Sequence, residues 1–169
     1  MQNGEPGDSI AILGDFTGHG GTVVLDTVLG DDQSPTDRLL VSGDTSGHSW
    51  VTIRNIGGVG SYTSVGIKII DVGGQSDGIF ALNGDYTTKD GQQAIMTASA
   101  YAYTLQKGSG SGNKDGNWYL VSQNTRPIDP TDPINPTGPR YSAAAPVYES
   151  YNATLQSLNR LPTLQQRVG

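Results

Sequence analysis

Residues 36–82 read TDRLLVSGDTSGHSWVTIRNIGGVGSYTSVGIKIIDVGGQSDGIFAL. Short β-type runs at 39–41, 50–53, 67–72 and 79–82 alternate with glycine turns. The gaps between them are too short for crossover helices, and no part of the stretch carries the apolar period of a helix. The simplest object such a sequence builds is a stack of short strands joined by tight turns. It reads as a scaffold and an assembly surface rather than as a reaction site.

Working outward, the strand starts fall near residues 23, 39, 51, 67 and 79, in steps of 16, 12, 16 and 12. Two strands and two turns therefore recur at about 28 residues, the spacing of a solenoid coil rather than of a uniform meander. An antiparallel β-sandwich is the competing architecture, because hairpins use the same Gly and Asp turns. In a coil, inward residues stack in ladders. The candidates are Val41, Ile53, Ile67, Ile69 or Ile70, and Phe80 or Leu82. Gly43, Gly57, Gly58, Gly60, Gly66 and Gly73 are assigned to structural turns, where positive φ or a close backbone approach offsets the entropy that glycine costs a strand.

Composition supports many turns and little helix. The 169 residues include 24 Gly, only 15% are charged, and the acidic set is 14 Asp against two Glu. Asp and Gly favour turns, whereas Glu favours helix. Net charge is −6 with no basic cluster, which excludes the phosphate neutralisation that a nucleic-acid partner demands. Cysteine is absent, so disulfides and thiolate metal sites are excluded. No run of 18 apolar residues offers a membrane-spanning helix.

Residues 83–91 form a polar, hairpin-like loop, and 94–105 alternate in the manner of a strand. Residues 101–105 and 118–121 pair on paper as a β-hairpin across a Gly/Ser/Asn-rich loop. Their side chains Tyr101, Tyr103, Leu105, Trp118 and Leu120 are the expected core of a cap. Prolines then fall at 127, 130, 133, 136 and 139, every third position. Polyproline II has three residues per turn, so thirteen such residues would make a rod of about 40 Å. A rod of that kind is expected to pack weakly and to be open to proteases. Tyr148, Tyr151, Leu155 and Leu158 share one helical face, so 147–160 is the single helix candidate.

The ordered series Thr36, Asp37, Leu39, Val41, Gly43, Val51, Ile53, Asn55, Gly57, Gly58, Gly60, Thr63, Gly66, Ile67, Ile70, Val72 and Phe80 resembles the C-terminal part of pertactin-like type V autotransporter passengers. The resemblance covers roughly residues 14–122. It implies an all-β chain in which a right-handed parallel β-helix is capped by antiparallel strands, followed by a Pro-rich linker and a short helix. The implied divisions are an upstream coil edge at 1–13, coils at 14–82, an autochaperone-like cap at 83–122, a spacer at 123–146 and, at 147–169, the start of a helix leading toward a β-barrel. The implied partners are that outer-membrane barrel and the upstream passenger coils, and the implied location is the surface of a Gram-negative bacterium.

Residues that could carry chemistry are few. His19 and His48 each sit alone in a glycine-rich turn, too sparse a set for zinc without cysteine. Asp31, Asp32 and Asp37 do not fit an EF-hand spacing and lack its closing Glu. Asp71, Asp77 and Asp85 raise the question of a glycosidase pair, because such chemistry needs two carboxylates facing one cleft. GGVG at 57–60 has no following Lys and no helix, so it is not a phosphate loop. The expectation is a chain with no catalytic, cofactor or metal residues: a folding and stalk module. An adhesin module with a host-surface ligand is the alternative, and a polysaccharide-acting enzyme a distant third.

Overall fold

The computed structural model describes residues 3–125 and 137–141. The helix expected at 147–160 and the middle of the proline-rich stretch lie outside the described residues. Within them the chain is all-β.

The first six strands are β1 (Ser9–Ile12), β2 (Phe16–Thr27), β3 (Arg38–Val41), β4 (Thr45–Asn55), β5 (Ile67–Val72) and β6 (Ile79–Leu82). They alternate between two sheets. β1, β3 and β5 pair in parallel in one, and β2, β4 and β6 pair in parallel in the other. Register partners lie 29 residues apart at Ile12 and Val41, and 31 apart at Val41 and Val72. The recurrence legible in the sequence is therefore a real stacking period. The parallel pairing of β3 with β5 and of β4 with β6 overturns the sandwich alternative, whose neighbouring strands would run antiparallel.

Two strands are longer than the local sequence suggests. β2 continues through Gly18, Gly20 and Gly21, with a bulge between His19 and Thr22, and β4 through Gly47, although both stretches read as turns. The reason is tertiary. Gly18 and Gly47 are register partners, and a Cβ on Gly47 (φ +71°) would stand 2.1 Å from the Gly18 carbonyl oxygen. Close approach of two coils, not a chain reversal, selects glycine here.

The core lies between the two sheets. Leu39 stacks on Ile70, Val51 on Leu82, and Leu25 on Ile53. Val41, Ile67, Ile69, Ile70, Phe80 and Leu82 are all buried, whereas Ile53 is half-buried against the same cluster. Ile69 and Ile70 are buried alike, and so are Phe80 and Leu82. Each fully buried aliphatic side chain contributes about 1.5–3 kcal/mol of transfer free energy. Ile10, on the outer strand β1, is 48% exposed although its register partner Leu39 is buried.

Asp37 secures the start of this stack. It is fully buried; its Oδ1 accepts the Gly7 and Asp8 N–H groups at 3.0 Å each, and its Oδ2 accepts that of Asp26 at 2.9 Å. A carboxylate can serve several donors at once, and a neutral residue serves fewer. Asp37→Ala strands three amides, and the expected loss is about 2–3 kcal/mol of stability. The check is a urea titration followed by tryptophan fluorescence, and an unchanged midpoint would show that solvent replaces the carboxylate without cost.

Candidate folding cap

After β6 the pairing changes sense. β7 (Tyr86–Thr87), β8 (Gln93–Met96), β9 (Ala102–Lys107) and β10 (Trp118–Val121) form an antiparallel series. The stretch expected as one strand at 94–105 is instead two, β8 and β9, reversed through the bend at 98–100. The hairpin of β9 and β10 pairs as read, with Leu120 opposite Leu105. β10 then pairs antiparallel with β5, placing Trp118 opposite Ile70 and Leu120 opposite Ile67. A further coil would lay a parallel strand beside β5. An antiparallel strand carried by a hairpin covers that edge and ends the series.

The cap's apolar side chains face the interior. Trp118 is 8% exposed and meets the edge of Phe80 at 5.4 Å between ring centroids, while Phe80 stacks on Phe16 at 5.8 Å. Tyr103 and Leu120 are fully buried. Leu105 and Tyr101 are half-buried against the core, and Tyr101 also faces Tyr141.

Polar contacts fasten the cap to the coil loops. The Tyr103 hydroxyl accepts the Ser61 N–H at 2.9 Å and lies within donating distance of the Gly30 and Ser61 carbonyls, at 2.5 and 2.9 Å. One phenol thus holds both the β2–β3 and the β4–β5 loops. Burial pushes its pKa up, so it stays a neutral donor. Ser122 and Thr63 exchange hydrogen bonds: the Thr63 N–H donates to Ser122 Oγ at 2.8 Å and the Ser122 N–H to Thr63 Oγ1 at 2.9 Å. The Val72 N–H donates to Asn117 Oδ1 at 2.8 Å. The Tyr119 hydroxyl donates to Asp115 at 2.6 Å, and burial with this acceptor pushes its pKa up to about 12.

The glycines named in the sequence serve these approaches in different ways. Gly66 (φ +104°) lies where a Cβ would meet Val121 Cγ1 at 2.7 Å, and a Cβ on Gly58 would stand 2.2 Å from the Leu29 nitrogen. Gly57 and Gly60 have positive φ, whereas Gly43 and Gly73 back onto the turn of the preceding coil.

Sequence reading missed Asp32, Asn117, Ser122 and Arg140 as fastening residues, because each acts on chain 32 to 59 residues distant. Local pattern carries no such signal. It also placed a weakly packed spacer from 123 onward, and at both described ends this is corrected. β11 (Gln123–Thr125) pairs antiparallel with β12 (Thr137–Pro139). Arg140 is 5% exposed and ion-paired with Asp90 at 3.2 Å. Pro139 fits because a strand at a sheet margin needs no inward donor.

Several of the candidate carboxylates are occupied structurally. Asp32 accepts the Ser64, Val65 and Gly66 N–H groups and the Ser64 hydroxyl. Asp71 pairs with Lys68 at 3.1 Å, and Asp85 accepts the Met96 N–H at 2.8 Å. His19 and His48 are register partners on an outer face. Among the described residues no group of three or more His, Asp or Glu is arranged to hold a metal ion.

Two of these carboxylates predict acid sensitivity. The Arg140 guanidinium, donating to Asp90, outweighs burial and holds its pKa down to about 2. Burial pushes Asp32 up, but the Ser64, Gly66 and Val65 donors outweigh it and leave it lowered. A folded-state pKa below the unfolded one stabilises the fold above the ordinary carboxylate range, and that stability is lost as pH falls from about 4 toward 2. The unfolding midpoint in urea should therefore drop between pH 5 and pH 2.5. Asp90→Asn should flatten part of that slope, and an unaltered slope would remove Asp90 from the account.

The described strands form a mixed parallel and antiparallel architecture in which an aromatic hairpin covers the β5 edge of the larger sheet. Residues 2–105 match the family model Autochaperone Domain Type 1, and the chain belongs to that family. It is 50% identical over 161 residues to the adhesin BmaC autotransporter of Brucella suis biovar 1, covering 95% of this chain and 5% of that protein. It is 42% identical over 178 residues to the uncharacterized protein YdeU of Escherichia coli K12, covering 99% of this chain and 35% of that protein. It is 43% identical over 111 residues to the autotransporter adhesin AIDA-I of Escherichia coli, covering 65% of this chain and 8% of that protein. The chain thus spans about a third or less of each of these relatives. It is an autochaperone-like, structural module of an autotransporter passenger.

Proposed function

We propose that residues 14–82 are terminal coils of a right-handed parallel β-helix and that 83–122 are the cap on which those coils fold during surface display. The observation that carries this reading is β10, which takes the place of a next coil strand beside β5 while running antiparallel to it. Forming the first rung of a solenoid is the costly step, because one coil cannot bury its apolar face alone; each later rung adds a nearest-neighbour interface. Trp118, Tyr103 and Leu120 supply that first face, with large buried area at low entropic cost. Residues 1–13 continue the upstream coil, and 147–169 lead toward a membrane β-barrel. The stretch 123–146 becomes a spacer whose ends are tied to the cap. The partners are then the barrel and the upstream coils, at the surface of a Gram-negative bacterium.

The test is protease accessibility of the passenger on whole cells, in the full protein with and without residues 83–125, with barrel level as control. The deletion should leave the barrel inserted and the passenger degraded. A protease-resistant, surface-exposed passenger in the deletion would overturn the template role. The names of two relatives favour a second reading, in which this module itself adheres. Trp50 and Tyr62 are 39% and 41% exposed and are its obvious contacts. The isolated chain should give no saturable binding to host cells or matrix, and such binding would favour adhesion.

A further inference from the structure

We propose that residues 137–141 are a latch that docks only on a completed cap, so that the point from which the downstream chain departs is fixed by the folded state of the cap. The inference goes beyond the template role, because it concerns what the cap does to the chain that follows it. Its basis is the composite nature of the docking site. The Arg140 N–H donates to the Ser122 carbonyl at 2.5 Å, just after β10, and the Arg140 carbonyl accepts the Ala102 N–H at 2.9 Å, at the start of β9. The guanidinium reaches Asp90 through Nη1 and Nη2, both at 3.2 Å, and Gln92 Oε1 at 3.5 Å, in the turn between β7 and β8. Tyr141 bridges Tyr101.

These receptors come from three separate places in the sequence. They meet only when β7, β8, β9 and β10 have paired. An unfolded or partly folded cap does not hold the Asp90 carboxylate in place beside the Ala102 N–H and the Ser122 carbonyl, so Arg140 has nowhere favourable to go. By linkage the coupling is mutual: whatever the cap contributes to docking, the docked latch returns to the cap. Proline at 127, 130, 133 and 136 in the connection lowers the entropy that closing it would otherwise cost. The bidentate fork of arginine suits the site, because two parallel donors fix orientation as well as charge.

Trypsin reads the latch directly. Cleavage after Arg140 requires its side chain to leave Asp90, while the bond after Arg126 precedes Pro127 and resists the enzyme. In the full chain, cleavage between Arg140 and Tyr141 should be at least about tenfold slower than in a synthetic peptide of residues 136–145. Asp90→Asn should speed it about fivefold or more, and Asp90→Glu, which keeps the carboxylate, should stay within about twofold of the native rate. Tryptophan fluorescence in a Trp50→Phe background, which leaves Trp118 as the single emitter, shows whether each cap is folded. Cleavage of the native chain at the peptide's rate would overturn the proposal without any variant. So would an Asp90→Asn protein, folded by fluorescence, that is cut at the native rate. Failure of the template role would leave these rates untouched, since they are measured on the isolated chain.

Discussion

Trp118→Ala should lower the stability of the chain by about 3–5 kcal/mol, the usual cost of emptying a buried aromatic site. The residue is 8% exposed, lies opposite Ile70 on β5 and packs its face-edge contact onto Phe80. Its Nε1 is buried with no acceptor among the described residues, so its contribution is packing rather than hydrogen bonding. The loss is a large share of the roughly 5–15 kcal/mol that holds a typical domain. It falls where the cap meets the last coil, so the coils lose their covered end as well as a core residue. Under the proposed template role, the variant in the full protein should acquire protease resistance of the passenger slowly while the level of the proposed barrel stays unchanged. Native kinetics of protease resistance in both Trp118→Ala and a Tyr101/Tyr103 double alanine variant would leave these residues as ordinary packing.

Tyr103→Ala is expected to cost a similar ~3–5 kcal/mol, and Tyr103→Phe ~1–3 kcal/mol, for different reasons. Alanine removes a fully buried ring from beneath two loops. Phenylalanine keeps the ring and deletes the hydroxyl alone, leaving the Ser61 N–H without its acceptor and the Gly30 carbonyl without its donor. Buried groups left unpaired carry their full desolvation cost. The two variants therefore separate packing from fastening. Hydrogen exchange should accelerate at Ser61 in Tyr103→Phe while the amides of β9 and β10 stay protected. Uniform acceleration across the cap would show that the hydroxyl supports the whole unit rather than the loops.

The fastening residues explain why the cap was only partly legible. Trp118, Leu120, Tyr103 and Leu105 stand out because aromatic and aliphatic residues at period two announce a strand wherever they occur. Thr63 and Ser122 do not, although each satisfies the other's backbone across 59 residues of chain. Serine and threonine are common in loops, and nothing local separates a solvated hydroxyl from one that staples a hairpin to a coil. Arg140 follows a run of prolines that points to an extended spacer, yet its side chain is buried beside Asp90. Proline spacing sets the backbone preference of the segment, but a carboxylate fifty residues earlier sets where it docks.

The glycine-rich runs mark the same boundary. By itself the sequence determined the all-β class, the recurrence near 28 residues and the pairing of the aromatic hairpin. All of these rest on local periodicity and on side-chain polarity, which act within a few residues. Only the tertiary structure decided that Gly18 and Gly47 sit inside strands rather than turns, that β10 runs antiparallel to β5, and that the chain returns after the prolines to pair with β11. Those outcomes depend on which backbone groups and charges come together across 12 or more residues, where desolvation and close approach outweigh local preference.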